Sequence, residues 1–97
     1  MCLLALIAEE PSYGYEMATK LSERGLELVG EGSIYPTLSR MQRAGLIEGY
    51  LVEVPGGGPP RKYYRITPTG RRRLRSWTEA WDRLQRGVAG ILEAHRG

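Results

Sequence analysis

The chain has 97 residues, enough for one small domain and too few for two. Cys2 is its only cysteine and His95 its only histidine. That excludes an internal disulfide and leaves a zinc site short of at least two carboxylate ligands. It also gives no nucleophile–histidine pair, since His95 sits near the C-terminal end. No metal or cofactor is therefore expected. A domain this small buries only about two-thirds of the surface its unfolded chain exposes, so self-association is the expected source of extra stability. The longest purely apolar run, Cys2 to Ala8, is too short to span a membrane. It lacks the basic flank of a signal peptide, which makes the cytoplasm the expected location and a membrane partner unexpected.

The formal charge of +3 is unevenly spread. Residues 1–31 carry two basic and six acidic side chains, a net −4, whereas residues 32–75 carry nine basic and two acidic, a net +7. The remaining residues balance. One basic block on a small domain points to a polyanion, nucleic acid first among them, although a solvated arginine-rich surface has the same composition.

In chain order, Leu3, Leu4, Ile7 and Ala8 recur at helical spacing and give a short helix over 2–9, stopped by Pro11. Ser12 reads as the N-cap of a second helix over 13–24. Tyr15, Met17, Ala18 and Leu21 turn inward there, and Glu16, Lys20 and Glu23 outward. Gly25 ends it. The connector Leu26 to Glu31 contains Leu28 and Val29, which read as a short strand. Gly32-Ser33 opens a third helix with Ile34, Leu38 and Met41 as its apolar stripe. Pro36 is tolerated only close to the helix start, and Gly45 closes the helix.

The period then switches to two. Gly49–Val54 and Arg61–Thr67 read as a hairpin joined by the Pro55-Gly56-Gly57-Gly58-Pro59-Pro60 tip. On the second strand Tyr64 and Ile66 face inward, and Arg61, Tyr63 and Arg65 outward. The tip is no phosphate-binding loop, because no Gly-Lys-Ser/Thr follows it. Thr67-Pro68 is an N-cap followed by proline at the first helical position, so a fourth helix starts there. Its residues Leu74, Trp77, Trp81, Leu84, Val88 and Ile91 step by three and four, an unbroken heptad seam. Ala80, Gly87 and Ala94 form a line of small residues beside it. Such a seam buries itself either against its own domain or against a second copy, and the pattern favours the copy.

Three helices, a hairpin and a helix make a mainly α fold with a small β-hairpin. It is a winged helix-turn-helix over 1–67 followed by a dimerisation helix over 68–97. In that arrangement the third helix enters the DNA major groove. Its outward face carries Ser33, Tyr35, Pro36, Thr37, Ser39, Arg40 and Arg43, short hydroxyls first and cations further along. The wing adds Arg61, Lys62, Tyr63 and Arg65, with Tyr63 equally suited to packing on a half-exposed strand. Arg71-Arg72-Arg73 stand in a first helical turn, where the helix dipole disfavours cations by some tenths of a kcal/mol each. A nearby phosphate backbone would offset that cost.

Several ordered motifs carry a resemblance. They are Pro11-Ser12-Tyr13-Gly14-Tyr15-Glu16, Glu31-Gly32-Ser33-Ile34-Tyr35-Pro36-Thr37-Leu38, Arg40-Met41, Ala44-Gly45-Leu46-Ile47, Pro59-Pro60-Arg61-Lys62-Tyr63-Tyr64-Arg65-Ile66-Thr67 and Gly70. Over residues 2–75 the chain resembles the PadR family of bacterial transcriptional regulators, and its last helix resembles the short, single-helix subfamily. The resemblance implies a dimeric winged-helix repressor that binds a near-palindromic operator and is released by a small effector. It puts Ser33, Tyr35, Pro36, Ser39 and Arg40 on the recognition helix and Arg61, Lys62 and Tyr63 on the wing. It also puts Trp81 where one member of the subfamily has a tryptophan on which flat aromatic compounds stack between subunits, with Trp77 one turn earlier. Both tryptophans suit plain seam packing as well. A winged helix used only to dock another protein is the alternative, and the basic block beside outward hydroxyls speaks against it. A small enzyme is the second alternative, and the lack of a Cys–His or Ser–His constellation, a metal set or a motif-placed carboxylate pair speaks against it, so no enzyme is expected.

Overall fold

The computed structural model describes residues 1–26 and 31–96. Its elements are α1 (Cys2–Glu9), β1 (Ser12–Tyr13), α2 (Gly14–Glu23), α3 (Glu31–Arg43), β2 (Ile47–Val52), β3 (Arg61–Ile66) and α4 (Pro68–Arg96). The strand expected around Leu28 and Val29 lies outside the described residues.

Side chains from six of the seven elements, together with Leu46 at the α3–β2 junction, build the core. Leu3, Leu4, Leu6 and Ile7 of α1 pack with Met17 and Leu21 of α2, and with Ile34, Leu38 and Met41 of α3. Leu46, Ile47 and Tyr64 close it from the sheet side, and Leu74 and Trp77 of α4 pack against it half-buried. Each helix contributes the stripe that its apolar spacing dictates.

The sheet has three antiparallel strands in the order β1-β3-β2, where a two-stranded hairpin was expected. The added strand is β1, with Ser12 opposite Tyr64 and Tyr13 opposite Tyr63. This corrects the reading of Ser12 as a helix cap. Its side chain is fully buried, donates to the Glu10 carbonyl at 3.2 Å and accepts from the Lys20 ammonium at 3.1 Å. Helix α2 starts at Gly14, its N-cap being Tyr13 with no side-chain cap bond. Tyr15 is also corrected: it is 61% exposed, because the buried stripe of α2 runs through Gly14, Met17 and Leu21. Lys20, read as outward, is mostly covered and bonds the Glu10 carboxylate at 2.8 Å.

β2 begins two residues earlier than the alternation suggested, because Ile47 pairs with Ile66 at the buried end of the hairpin. It stops at Val52 rather than Val54. Helix α3 opens one residue before Gly32, which leaves Pro36 in its second turn. A proline there has no N–H for the Gly32 carbonyl, so that helical hydrogen bond is missing. α3 ends in a paired motif: Gly45, at φ +76°, lets Leu46 N–H reach the Met41 carbonyl at 2.9 Å.

Thr67 caps α4 as expected, its hydroxyl accepting the Gly70 N–H at 3.0 Å. The helix then runs for 29 residues and leaves the core behind. The radius of gyration, 16.4 Å, exceeds the roughly 12.5 Å of a compact chain this long. The excess is the second half of α4, where Trp81, Leu84, Val88 and Ile91 are 48%, 59%, 46% and 73% exposed. The architecture is a winged helix with a protruding C-terminal helix. No helix among the described residues is long and apolar enough to cross a membrane.

Candidate nucleic-acid interface

Helix α3 buries Ile34, Leu38 and Met41 and thereby turns Ser33, Tyr35, Pro36, Ser39, Arg40 and Arg43 to solvent, with Thr37 half-covered between the faces. The Thr37 hydroxyl donates to the Ser33 carbonyl at 3.0 Å and accepts from an Arg40 Nη at 3.2 Å. Arg40 therefore lies along the helix with most of its guanidinium donors free. The ion pairs of the described residues join Lys20 to Glu10 and Glu16, Arg24 to Glu9, and Arg65 to Glu48. Arg40, Arg43, Arg61 and Lys62 take part in none of them.

The wing presents two faces. On one, Tyr13, Tyr63 and Tyr50 form a row across all three strands, with ring centroids 5.2 Å and 6.1 Å apart. Arginines cap both ends of that row. The Arg61 guanidinium lies 4.7 Å from the Tyr13 ring centre and that of Arg65 lies 5.0 Å from the Tyr50 ring. Tyr63 is thus a half-buried packing residue at the centre of the row, and Arg65 is held by Glu48 at 3.2 Å. On the other face Lys62 crosses Gly49, its ammonium 5.5 Å from the Tyr64 ring. Burial of the Tyr64 ring raises its phenol pKa above the ordinary 10.

Helix α3 and the wing meet in a cleft of about 360 Å³ lined by Tyr13, Gly14, Tyr35, Arg61, Lys62 and Tyr64. The expected residues Tyr35, Arg61 and Lys62 come together here. Ser39, Arg40 and Arg43 continue along the helix away from it, and the Arg71–Arg73 run stands at the start of α4. Tyr13 and Gly14 line this cleft and Tyr50 ends the aromatic row, and none of the three is among the expected residues. No spacing along the sequence signals the row, because it takes one tyrosine from each of three strands.

A second cleft, of about 250 Å³, lies at the other end of α3. Trp77 lines it with Met1, Thr37, Arg40, Met41, Ala44 and Leu46, and the Arg73 guanidinium lies 5.5 Å from the Trp77 ring. Trp81 is outside that lining and faces solvent. Of the heptad seam, Leu74 and Trp77 pack against their own domain, and the rest is bare.

Residues 3–76 match the family model described as the transcriptional regulator PadR-like family. The chain is 45% identical to a PadR-like transcriptional regulator from Bacillus cereus. That match covers 94% of this chain and 87% of the other, with a TM-score of 0.85. It is 35% identical over 83 residues to the transcriptional regulator Rv3488 of Mycobacterium tuberculosis, covering 86% of this chain and 75% of that one. The PadR protein of Bacillus subtilis, solved in complex with operator DNA, shares the fold at a TM-score of 0.72 and 23% identity, over 79% of this chain and 43% of that one. Family model, sequence relatives and architecture agree: the chain belongs to the PadR-like family of transcriptional regulators, which are not enzymes.

Proposed function

We propose that this regulator is a homodimeric repressor that binds a near-palindromic operator through α3 and the wing and is released by a small hydrophobic or aromatic effector. The observation that carries the DNA reading is the set of unpaired cations around α3. Arg40 and Arg43 of α3, and Arg61 and Lys62 of the wing, are exposed cations that no ion pair among the described residues neutralises, and α3 carries Ser33, Tyr35, Pro36, Thr37 and Ser39 beside its two. Cations there supply salt-dependent affinity, and side chains on the exposed helix face supply base readout. The B. subtilis protein of the same fold was solved in complex with operator DNA, which supports DNA as the partner.

The bare half of α4 supports the dimer. Trp81, Leu84, Val88 and Ile91 continue the seam begun by Leu74 and Trp77, and Ala80, Gly87 and Ala94 beside them admit a close-packed helix. In this reading residues 1–67 bind DNA and residues 68–97 hold two such units at a fixed spacing. A dimer presents the +7 block twice. The effector reading rests on Trp77, whose cleft reaches Thr37 and Arg40 of the recognition helix. Trp81 one turn on would complete it between subunits.

Selection of bound duplexes from a random pool tests this reading. Enrichment of a near-palindromic sequence that binds two protomers supports it. No enrichment, with a protein partner captured instead through the same face, would replace it with the docking module.

A further inference from the structure

The junction of β1 and α2 touches both DNA-facing elements without belonging to either. Gly14 is buried, and a Cβ built there would lie 2.7 Å from Cε1 and 2.9 Å from both Cζ and Oη of Tyr35. The Tyr35 ring is therefore seated in a notch that only glycine leaves open. Its other edge is free, since the residue is 53% exposed. The neighbouring Tyr13 supports the wing in the same way. Its ring underlies the Arg61 guanidinium at 4.7 Å and packs on Tyr63 at 5.2 Å. Two consecutive residues thus fix one side chain of the recognition helix and one of the wing on opposite sides of a single cleft.

Neither seat is needed for the core. Tyr35 and Arg61 are both exposed, and the backbone of Gly14 is ordinary helix, with φ outside the left-handed region. A methyl group at Gly14 would push the ring outward into solvent and leave the buried stripe of α2 in place. The arrangement matters for geometry, because a side chain held in one rotamer loses less entropy on binding than a free one.

We infer that Tyr13 and Gly14 are positioning residues for the DNA interface: Gly14 seats Tyr35, Tyr13 seats Arg61, and together they set the spacing between recognition helix and wing. The inference rests on the DNA-binding reading above.

The test is a pair of double-mutant cycles read by fluorescence anisotropy on a labelled duplex that the wild-type protein selected. Gly14→Ala should weaken binding about fivefold to a hundredfold, the range of one lost contact. In a Tyr35→Ala background, which has no ring to displace, it should add almost nothing. Tyr13→Ala should behave likewise against Arg61→Ala, whereas Tyr13→Phe, which keeps the ring, should bind as wild type. In the free protein a nuclear Overhauser effect between Gly14 Hα and the Tyr35 ring should be present. Additive losses in either cycle, wild-type binding by Gly14→Ala, or a missing Overhauser effect overturns the inference. A wild-type protein that selects no duplex fails the DNA reading instead, and the Overhauser measurement still reports on the seat.

Discussion

The Thr67 hydroxyl donates to the Gly45 carbonyl at 2.6 Å, joining the start of α4 to the end of α3. The same oxygen accepts the Gly70 N–H at 3.0 Å, and the Thr67 N–H donates to the Leu46 carbonyl at 3.0 Å. One residue thus caps α4 and ties it to the residue whose positive φ closes α3. Thr67→Val keeps the shape and removes both hydroxyl bonds. It should cost about 1–2 kcal/mol in thermal or denaturant unfolding, with Thr67→Ser recovering most of it.

Gly70 makes the same junction sterically. A Cβ there would run into the Leu46 carbonyl oxygen, and would lie 2.7 Å from Ile66 Cγ1. The obstruction on one side is backbone, which cannot rotate away. Gly70→Ala should destabilise the fold by about 1–3 kcal/mol despite the better helix propensity of alanine. Chemical denaturation checks it.

Tyr64 gives a pH signature. Its folded phenol pKa is raised above the ordinary 10 by burial, so the folded state binds that proton more tightly than the unfolded chain does. The associated stability is fully present below pH 10 and is lost as pH rises through the folded value. Tyr64→Phe should unfold with a smaller loss of stability between pH 10 and 11 than wild type, measured by denaturant midpoints at each pH.

Self-association should depend on the bare half of α4. Trp81→Ala removes the largest exposed apolar side chain of the seam and should raise the dimer dissociation constant about tenfold or more. Sedimentation velocity over a concentration series reads the shift. Equal dissociation constants for variant and wild type would place the dimer contact elsewhere.

Most of the architecture was legible because it rests on period and punctuation. The α3 stripe Ile34, Leu38 and Met41, the Gly45 stop, and the Thr67-Pro68 start are local signals, and all of them hold. β1 was not legible. Two residues carry no period, Pro11-Ser12 imitates a helix cap, and the strand exists only because Tyr63 and Tyr64 pair with it from a distant segment. Tyr15 misled for a related reason: an aromatic residue next to a buried one looks apolar in sequence, but lies about 100° round the helix from Gly14 and about 160° from Met17. At the interface, the outward face of α3 followed from its inward face. The Tyr13–Tyr63–Tyr50 row and the Gly14 notch did not, because both are contacts across elements.

In the proposed complex Arg40, Arg43, Arg61 and Lys62 meet a DNA duplex, with α3 reading bases. The most direct test is the binding constant for a selected duplex, measured across a salt series for wild type, Arg40→Ala, Arg43→Ala and the Arg61→Ala/Lys62→Ala pair. Wild-type affinity should fall steeply with salt. Each α3 variant should lose about 1–3 kcal/mol where it contacts a base, and the wing pair should flatten the slope by about two. A salt-independent binding constant, unchanged in all the variants, would contradict the claim.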